Sequence, residues 1–270
     1  MGVRAGLCSI TLRALAADDV LRTAERGGLE AIEWGADVHC PPGSDGRALA
    51  ASCRAAGIEC LSYGSYYMAG QTDPGEWPAV LDTAESLGAR TVRVWARFGV
   101  VPESPAEEKQ PVIEALAHAV REAETRGLRV GLEYHGGTLS QTLTSTLETL
   151  DAVDAPLLSY WQPSPDPEVE ESRDALQRLA PRLGHLHVFS WTGPEAKRIP
   201  MASCRGYWDA VLATAVALPR PDTSVRAAYL EYVPDDDPEA VVREAGFLCY
   251  ALARAGRTGA HTDRQEHSRE

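Results

Sequence analysis

The sequence predicts a single α/β domain, a closed (β/α)8 TIM barrel, on three observations. Eight short apolar, β-branched runs recur along the chain, helix-like segments separate them, and no glycine-rich phosphate loop follows the first run. The barrel is expected over residues 1–256, with a disordered tail over 257–270 that carries no apolar periodicity.

The runs fall at Val3–Ser9, Leu29–Trp34, Ile58–Tyr63, Thr91–Trp95, Leu128–Tyr134, Leu157–Trp161, Gly184–Phe189 and Ala227–Tyr232. Successive starts lie 26 to 43 residues apart, room for one helix and two loops each time. The turn after the first run, "SITLRALAADD", contains no glycine, which argues against a doubly wound dinucleotide-binding sheet. The clearest helix spans Pro105 to Gly127, with Ser104 and Pro105 as N-cap and first-turn residues and Gly127 just past its end. "RAAG", "ESLG" and "ETRG" each close a helix on glycine immediately before a strand. "SYGSYYMAG", Ser62 to Gly70, reads as an aromatic loop that covers the site or meets another subunit. In "VPDDDPEA", Asp236 and Asp237 read as caps of the last helix.

Composition narrows the function. The 270 residues carry a formal net charge of −13 and no run of Lys and Arg, so a phosphate backbone is repelled and no nucleic-acid partner is expected. No stretch reaches the roughly 18–20 apolar residues of a membrane span, and the N-terminus lacks a signal-peptide core. The six cysteines show no CxxC or zinc-finger spacing and read as reduced thiols. A cytoplasmic protein is expected.

In such a barrel the active site is built where strands end. Strand two ends in Glu33-Trp34 with His39 beyond, strand four in Trp95, and strand five in Glu133 followed by His135. Strand six ends in Trp161-Gln162, strand seven carries His185 and His187 on one face, and strand eight ends in Glu231. Glu133, His187 and Glu231 form an O/O/N set suited to Mn2+, Co2+ or Mg2+, with Zn2+ also admissible, and Gln162 offers an amide oxygen between them. A cation there acidifies a C–H beside a bound carbonyl, and the two glutamates are candidates to move the proton. Each residue alone has a plainer role: strand-end acids are solvated, buried histidines are hydrogen-bonded, and Trp34, Trp95, Trp161 and Trp191 fill the junction of strands and helices as readily as they stack on a sugar.

With these motifs in place, the chain resembles the xylose isomerase-like TIM-barrel superfamily, which includes sugar phosphate isomerases and epimerases, ketose 3-epimerases, inosose dehydratase and endonuclease IV. The resemblance rests on "GGLEAIEW", "GLRVGLEYHGG", "LGHLHVFSW" and "YLEYVP", in that order, and extends from about Val3 to Ala255. It implies one metal held from strands five to eight, with Glu133, His187 and Glu231 matching three of the four ligands and the glutamates serving as acid and base. It also implies that Arg198 or Lys197, in "EAKRIP", contacts substrate hydroxyls and that His39 reaches substrate; His135, Trp34 and Trp161 are further candidate substrate contacts from their places at the strand ends. The departure lies at strand six, where "LLSYWQPSPDP" puts Gln162 in place of an Asp and Pro165 in place of a His. The resemblance therefore implies a sugar or cyclitol isomerase or epimerase, with a dehydratase or a non-catalytic sugar-binding barrel as alternatives. Endonuclease chemistry does not fit seven histidines, two of them in the tail, and the acidic charge. Barrels of this type commonly associate, so a homo-oligomer is open.

Overall fold

The computed structural model describes residues 2–220 and 225–266. Its eight principal strands are β1 (Arg4–Cys8), β2 (Ala31–Gly35), β3 (Glu59–Ala69), β4 (Thr91–Ala96), β5 (Arg129–Glu133), β6 (Leu158–Trp161), β7 (Leu183–Val188) and β10 (Ala227–Leu230). They close into one parallel barrel in the order β1-β10-β7-β6-β5-β4-β3-β2, and all eight expected runs are present. A two-stranded hairpin, β8 (Ser190–Thr192) and β9 (Lys197–Ile199), follows β7. Around the barrel lie α1 (Ala17–Arg26), α2 (Arg47–Ala55), α3 (Trp77–Leu87), α4 (Ala106–Thr125), α5 (Leu143–Ala152), α6 (Val169–Leu179), α7 (Arg205–Ala217) and α8 (Pro238–Glu266).

The helix-closing glycines behave as their sequence context requires. Gly57, Gly88 and Gly127 all take positive φ (71°, 72° and 71°), the left-handed turn that an L side chain resists.

Four details differ from expectation. Ser62 to Ala69 is not a loop but the continuation of β3, kept paired to β4 across a register shift between Gly64 and Met68. The shift absorbs Tyr66, whose φ of 56° breaks the strand geometry locally. At α4 the N-cap is Pro105 rather than Ser104, whose hydroxyl instead accepts from the Val101 amide at 3.1 Å. Asp237 does cap α8, accepting from the amides of Glu239 and Ala240, but Asp236 is taken up by Arg198. Finally α8 continues to Glu266, where a structureless tail was expected from residue 257: the stretch has no proline, so the helical ladder continues without an apolar stripe. Residues 267–270 lie outside the described residues.

Strand alternation sorts the side chains between barrel interior and helix layer. Trp34 and Trp161 fall on the outer face and join the large core between strands and helices. Inside, Tyr229 and Tyr160 fill the barrel because glycines face them. A Cβ on Gly131 would meet Tyr160 Cε2 at 2.2 Å, and one on Gly6 would meet Tyr229 Cδ1 at 2.5 Å.

Candidate active site

Period-two alternation brings Cys8, Glu33, Ser62, Arg93, Trp95, Glu133, Tyr160, Gln162, His187 and Glu231 together at the C-terminal ends of the barrel strands. His187 is their centre, fully buried with both ring nitrogens facing carboxylates. Its Nδ1 lies 3.2 Å from Glu231 Oε2, 3.6 Å from Glu133 Oε1 and 3.4 Å from Gln162 Oε1. Its Nε2 lies 3.3 Å from Glu33 Oε1. Burial alone would keep the ring neutral, but the pull of Glu231 and Glu33 outweighs it and raises the imidazole to about 9.

Arg93 is the only guanidinium among these groups, and it ties the carboxylates together. Its Nε donates to Glu33 Oε1 at 2.9 Å, and its Nη1 donates to Glu133 Oε2, which also accepts the Trp95 indole N–H. Glu33 accepts from Ser62 Oγ as well, at 2.5 Å, and Ser62 in turn meets the Tyr160 hydroxyl at 2.6 Å. Although burial works the other way, Arg93 and His187 hold Glu33 far below the usual carboxylate range. His185, one turn of alternation below, is a different case. Burial pushes it down to about 3, and its Nδ1 accepts from the Ala227 amide at 3.1 Å, so it is a neutral structural residue.

A divalent cation fits the group around His187 Nδ1. One ligand atom each from Glu133, His187 and Glu231 lie within 4.8 Å of one another, all buried. Apart from the imidazole it faces, Glu231 Oε2 is buried without a hydrogen-bond partner, and with that ring neutral it is an acceptor that burial should not leave bare. Glu33, Glu133 and Glu231 oppose only Arg93, so with a neutral imidazole the buried set is short of two positive charges, those of one divalent ion. Gln162 supports the arrangement: its amide N–H donates to the Tyr134 carbonyl at 2.6 Å, which turns its oxygen toward His187.

The other expected contacts separate into two sets. His135 reaches the rim, its ring 5.1 Å from Trp95 and 5.0 Å from Phe98. Arg198 lies on β9 and stacks over Tyr232 at 5.2 Å while pairing with Asp236, and Lys197 beside it is exposed. The remaining three turn away. Trp34 and Trp161 point into the helix layer because alternation gives the inner face to Glu33 and Tyr160. His39 spends both ring nitrogens on the protein, Nδ1 with Ser9 Oγ at 2.9 Å and Nε2 with the Leu15 carbonyl at 3.1 Å.

Sequence reasoning left Trp95 open between stacking and structural roles, and missed Glu33, Arg93, Tyr66 and Tyr160 as members of the site. The signal was present in "AIEWG" and "TVRVW", where a charge interrupts an apolar strand at an inward position. The backbone marks the site too: Tyr232, immediately after Glu231, has φ 48°, and Tyr66, stacked edge-on to Trp95 at 5.0 Å, has φ 56°.

The chain matches the family model described as xylose isomerase-like TIM barrel over residues 21–209. No curated protein matches it in sequence. Among solved structures it is similar to a probable 3-DHS dehydratase, AsbF, from Bacillus anthracis, with 17% identity and a TM-score of 0.69 over 92% of this chain and 99% of that one. It is similar to an L-ribulose 3-epimerase at 16% identity and a TM-score of 0.69, covering 97% of each chain. A xylose isomerase-like TIM barrel protein from Mycobacterium smegmatis, in complex with magnesium, is similar at 14% identity and a TM-score of 0.67, covering 94% of this chain and 98% of that one. At such identities the likeness is one of fold.

Proposed function

Since the chain belongs to the xylose isomerase-like TIM barrel family, we propose that it is a divalent-metal-dependent isomerase or epimerase of a sugar or cyclitol. The observation that carries the reading is the convergence of Glu133, His187 and Glu231 from β5, β7 and the end of β10 at one buried point. A Mn2+, Co2+, Mg2+ or Zn2+ ion held by these three, with Gln162 alongside, would polarise a substrate carbonyl and acidify the neighbouring C–H.

The chain's own groups then do the proton work. Glu231, whose Oε2 meets no donor other than the imidazole, takes the proton from carbon. Glu133, steadied by Arg93 and Trp95, is the second carboxylate of the pair. The wall of Tyr66, Trp95, Phe98 and His135 gives a ring face for the substrate and keeps water off the carbanion. A non-phosphorylated substrate is favoured, because Arg13 and Arg198 are already paired with Asp37 at 3.1 Å and Asp236 at 2.5 Å, and the sequence has no glycine-rich phosphate cradle.

One observation favours a second reading, elimination of water. Glu133 Oε2 already accepts two N–H donors, so a reaction needing one free base suits the site, as in a dehydratase. NMR of candidate ketoses and keto-cyclitols in deuterated water with Mn2+ separates the outcomes. Deuterium gain without loss of mass means isomerisation, and loss of water means elimination. If Glu231→Gln exchanges deuterium as fast as the unaltered protein, the proton-transfer role is wrong.

A further inference from the structure

We propose that Glu33 is a positioning residue that accepts the Nε2–H of His187 and so presents the bare Nδ1 toward Glu133 and Glu231. This rests on the metal-dependent reading above and explains how the imidazole is aimed. An imidazole with both nitrogens facing acceptors must choose which one to strip when a cation arrives, and the surroundings of the two nitrogens differ.

On the Nε2 side, Glu33 is saturated with donors. Its Oε1 receives Arg93 Nε at 2.9 Å and Cys8 Sγ at 3.3 Å besides the imidazole, and its Oε2 receives Ser62 Oγ at 2.5 Å. Cys8, Glu33 and His187 also lie close enough to suggest a cation site. Their hydrogen bonds argue otherwise. Burial holds the Cys8 thiol well above its ordinary value, so it donates its proton, and the Arg93 guanidinium lies against the same carboxylate. A cation at this point would have to displace the Arg93 and Cys8 donors from Glu33 Oε1.

On the Nδ1 side the three neighbours are Glu231 Oε2, Glu133 Oε1 and Gln162 Oε1, all acceptors, and beyond the imidazole itself Glu231 Oε2 meets no donor. A ring that keeps its proton on Nε2 therefore places its lone pair where an acceptor-rich pocket awaits a cation. Arg93 extends the effect, since one guanidinium grips both Glu33 and Glu133 and couples the aim of the imidazole to that of a second ligand.

The test uses the full chain with histidine labelled in nitrogen-15 and loaded with Zn2+, which is diamagnetic. Two-bond proton–nitrogen correlation spectra should show His187 with zinc on Nδ1 and a retained proton on Nε2. Calorimetry with Mn2+ and with Zn2+ should show about 10- to 100-fold weaker binding for Glu33→Gln, whose amide can turn a donor toward Nε2. Glu33→Asp should restore part of the loss, and Ser62→Ala, which removes one anchor and no charge, should cost a few-fold. Zinc on Nε2, or Glu33→Gln with unchanged affinity, overturns the inference while leaving the metal site in place. No stoichiometric Zn2+ or Mn2+ in the unaltered protein overturns the metal reading and this inference with it. If Glu33→Gln fails to fold, the protonation pattern of the unaltered zinc-loaded protein decides alone.

Discussion

Glu231 Oε2 and His187 Nδ1 lie 3.2 Å apart, both fully inside the barrel, yet Glu231 Oε2 has no other hydrogen-bond partner. The two pair when the imidazole is charged; once that proton leaves, Glu231 Oε2 and the bare Nδ1 frame the point that a shared cation would occupy.

A cation bound there would compete with a proton. In the metal-free protein the pull of Glu231 and Glu33 outweighs burial and raises His187 to about 9 from the ordinary 6.5. The raised value means that charged His187 stabilises the metal-free fold fully below pH 6.5, and this contribution is lost as pH climbs through about 9. Mn2+ binding releases that proton, so affinity should rise by about tenfold per pH unit between pH 6.5 and 8.5. Calorimetry across that range in two buffers of different ionisation heat checks both the slope and the proton count, and a flat profile contradicts the assignment.

A carboxylate placed just after β6 should strengthen the site. Gln162 gives only a neutral amide oxygen, and Gln162→Asp supplies a charged ligand at the cost of the 2.6 Å bond to the Tyr134 carbonyl. The expected gain in Mn2+ affinity is on the order of tenfold, read by calorimetry. Weaker binding in Gln162→Asp would mean that the amide bond, not the ligand charge, governs the loop.

The two glutamates should fail differently. Glu231→Gln removes the carboxylate with the free oxygen and should lower kcat by about 10²- to 10⁴-fold on any substrate that is turned over. Glu133→Gln keeps its contacts with Trp95 and should act mainly by weakening metal binding, so part of its loss should return at high Mn2+. Equal, metal-insensitive losses would make the glutamates equivalent.

Arg93 should also hold the fold together. With 2% of its side chain exposed between Glu33 and Glu133, its loss leaves two buried acids without their cation. Arg93→Met should cost about 3–5 kcal/mol in urea denaturation of the metal-free protein. Added Mn2+ should recover part of that stability, since a cation replaces the missing charge.

Gly131→Ala should cost about 1–3 kcal/mol by overpacking, because its new Cβ would meet the Tyr160 ring at 2.2 Å in the closed interior. Gly184→Ala, whose nearest neighbours stand at 3.5 Å, should be far milder. A comparison of their melting temperatures checks the pair.

The barrel was legible because a parallel strand buried on both sides must be apolar and β-branched, and the helix between two such strands ends on glycine. Glu133, His187 and Glu231 were legible because each sits at such a strand's end. Glu33 and Arg93 were harder: their pairing depends on β2 and β4 lying two strands apart across a closed ring, a distance that linear spacing hides. The aromatic residues misled for a related reason. Whether Trp34 or Glu33 faces inward turns on one residue of register, and a one-residue slip exchanges the barrel face for the helix face.

The most direct measurement is a crystal structure of the Mn2+-soaked protein with anomalous scattering recorded near the manganese edge. One peak about 2.0–2.3 Å from Glu133, His187 Nδ1 and Glu231 is the predicted result. A peak beside Cys8 and Glu33 instead, or no peak at all, contradicts it.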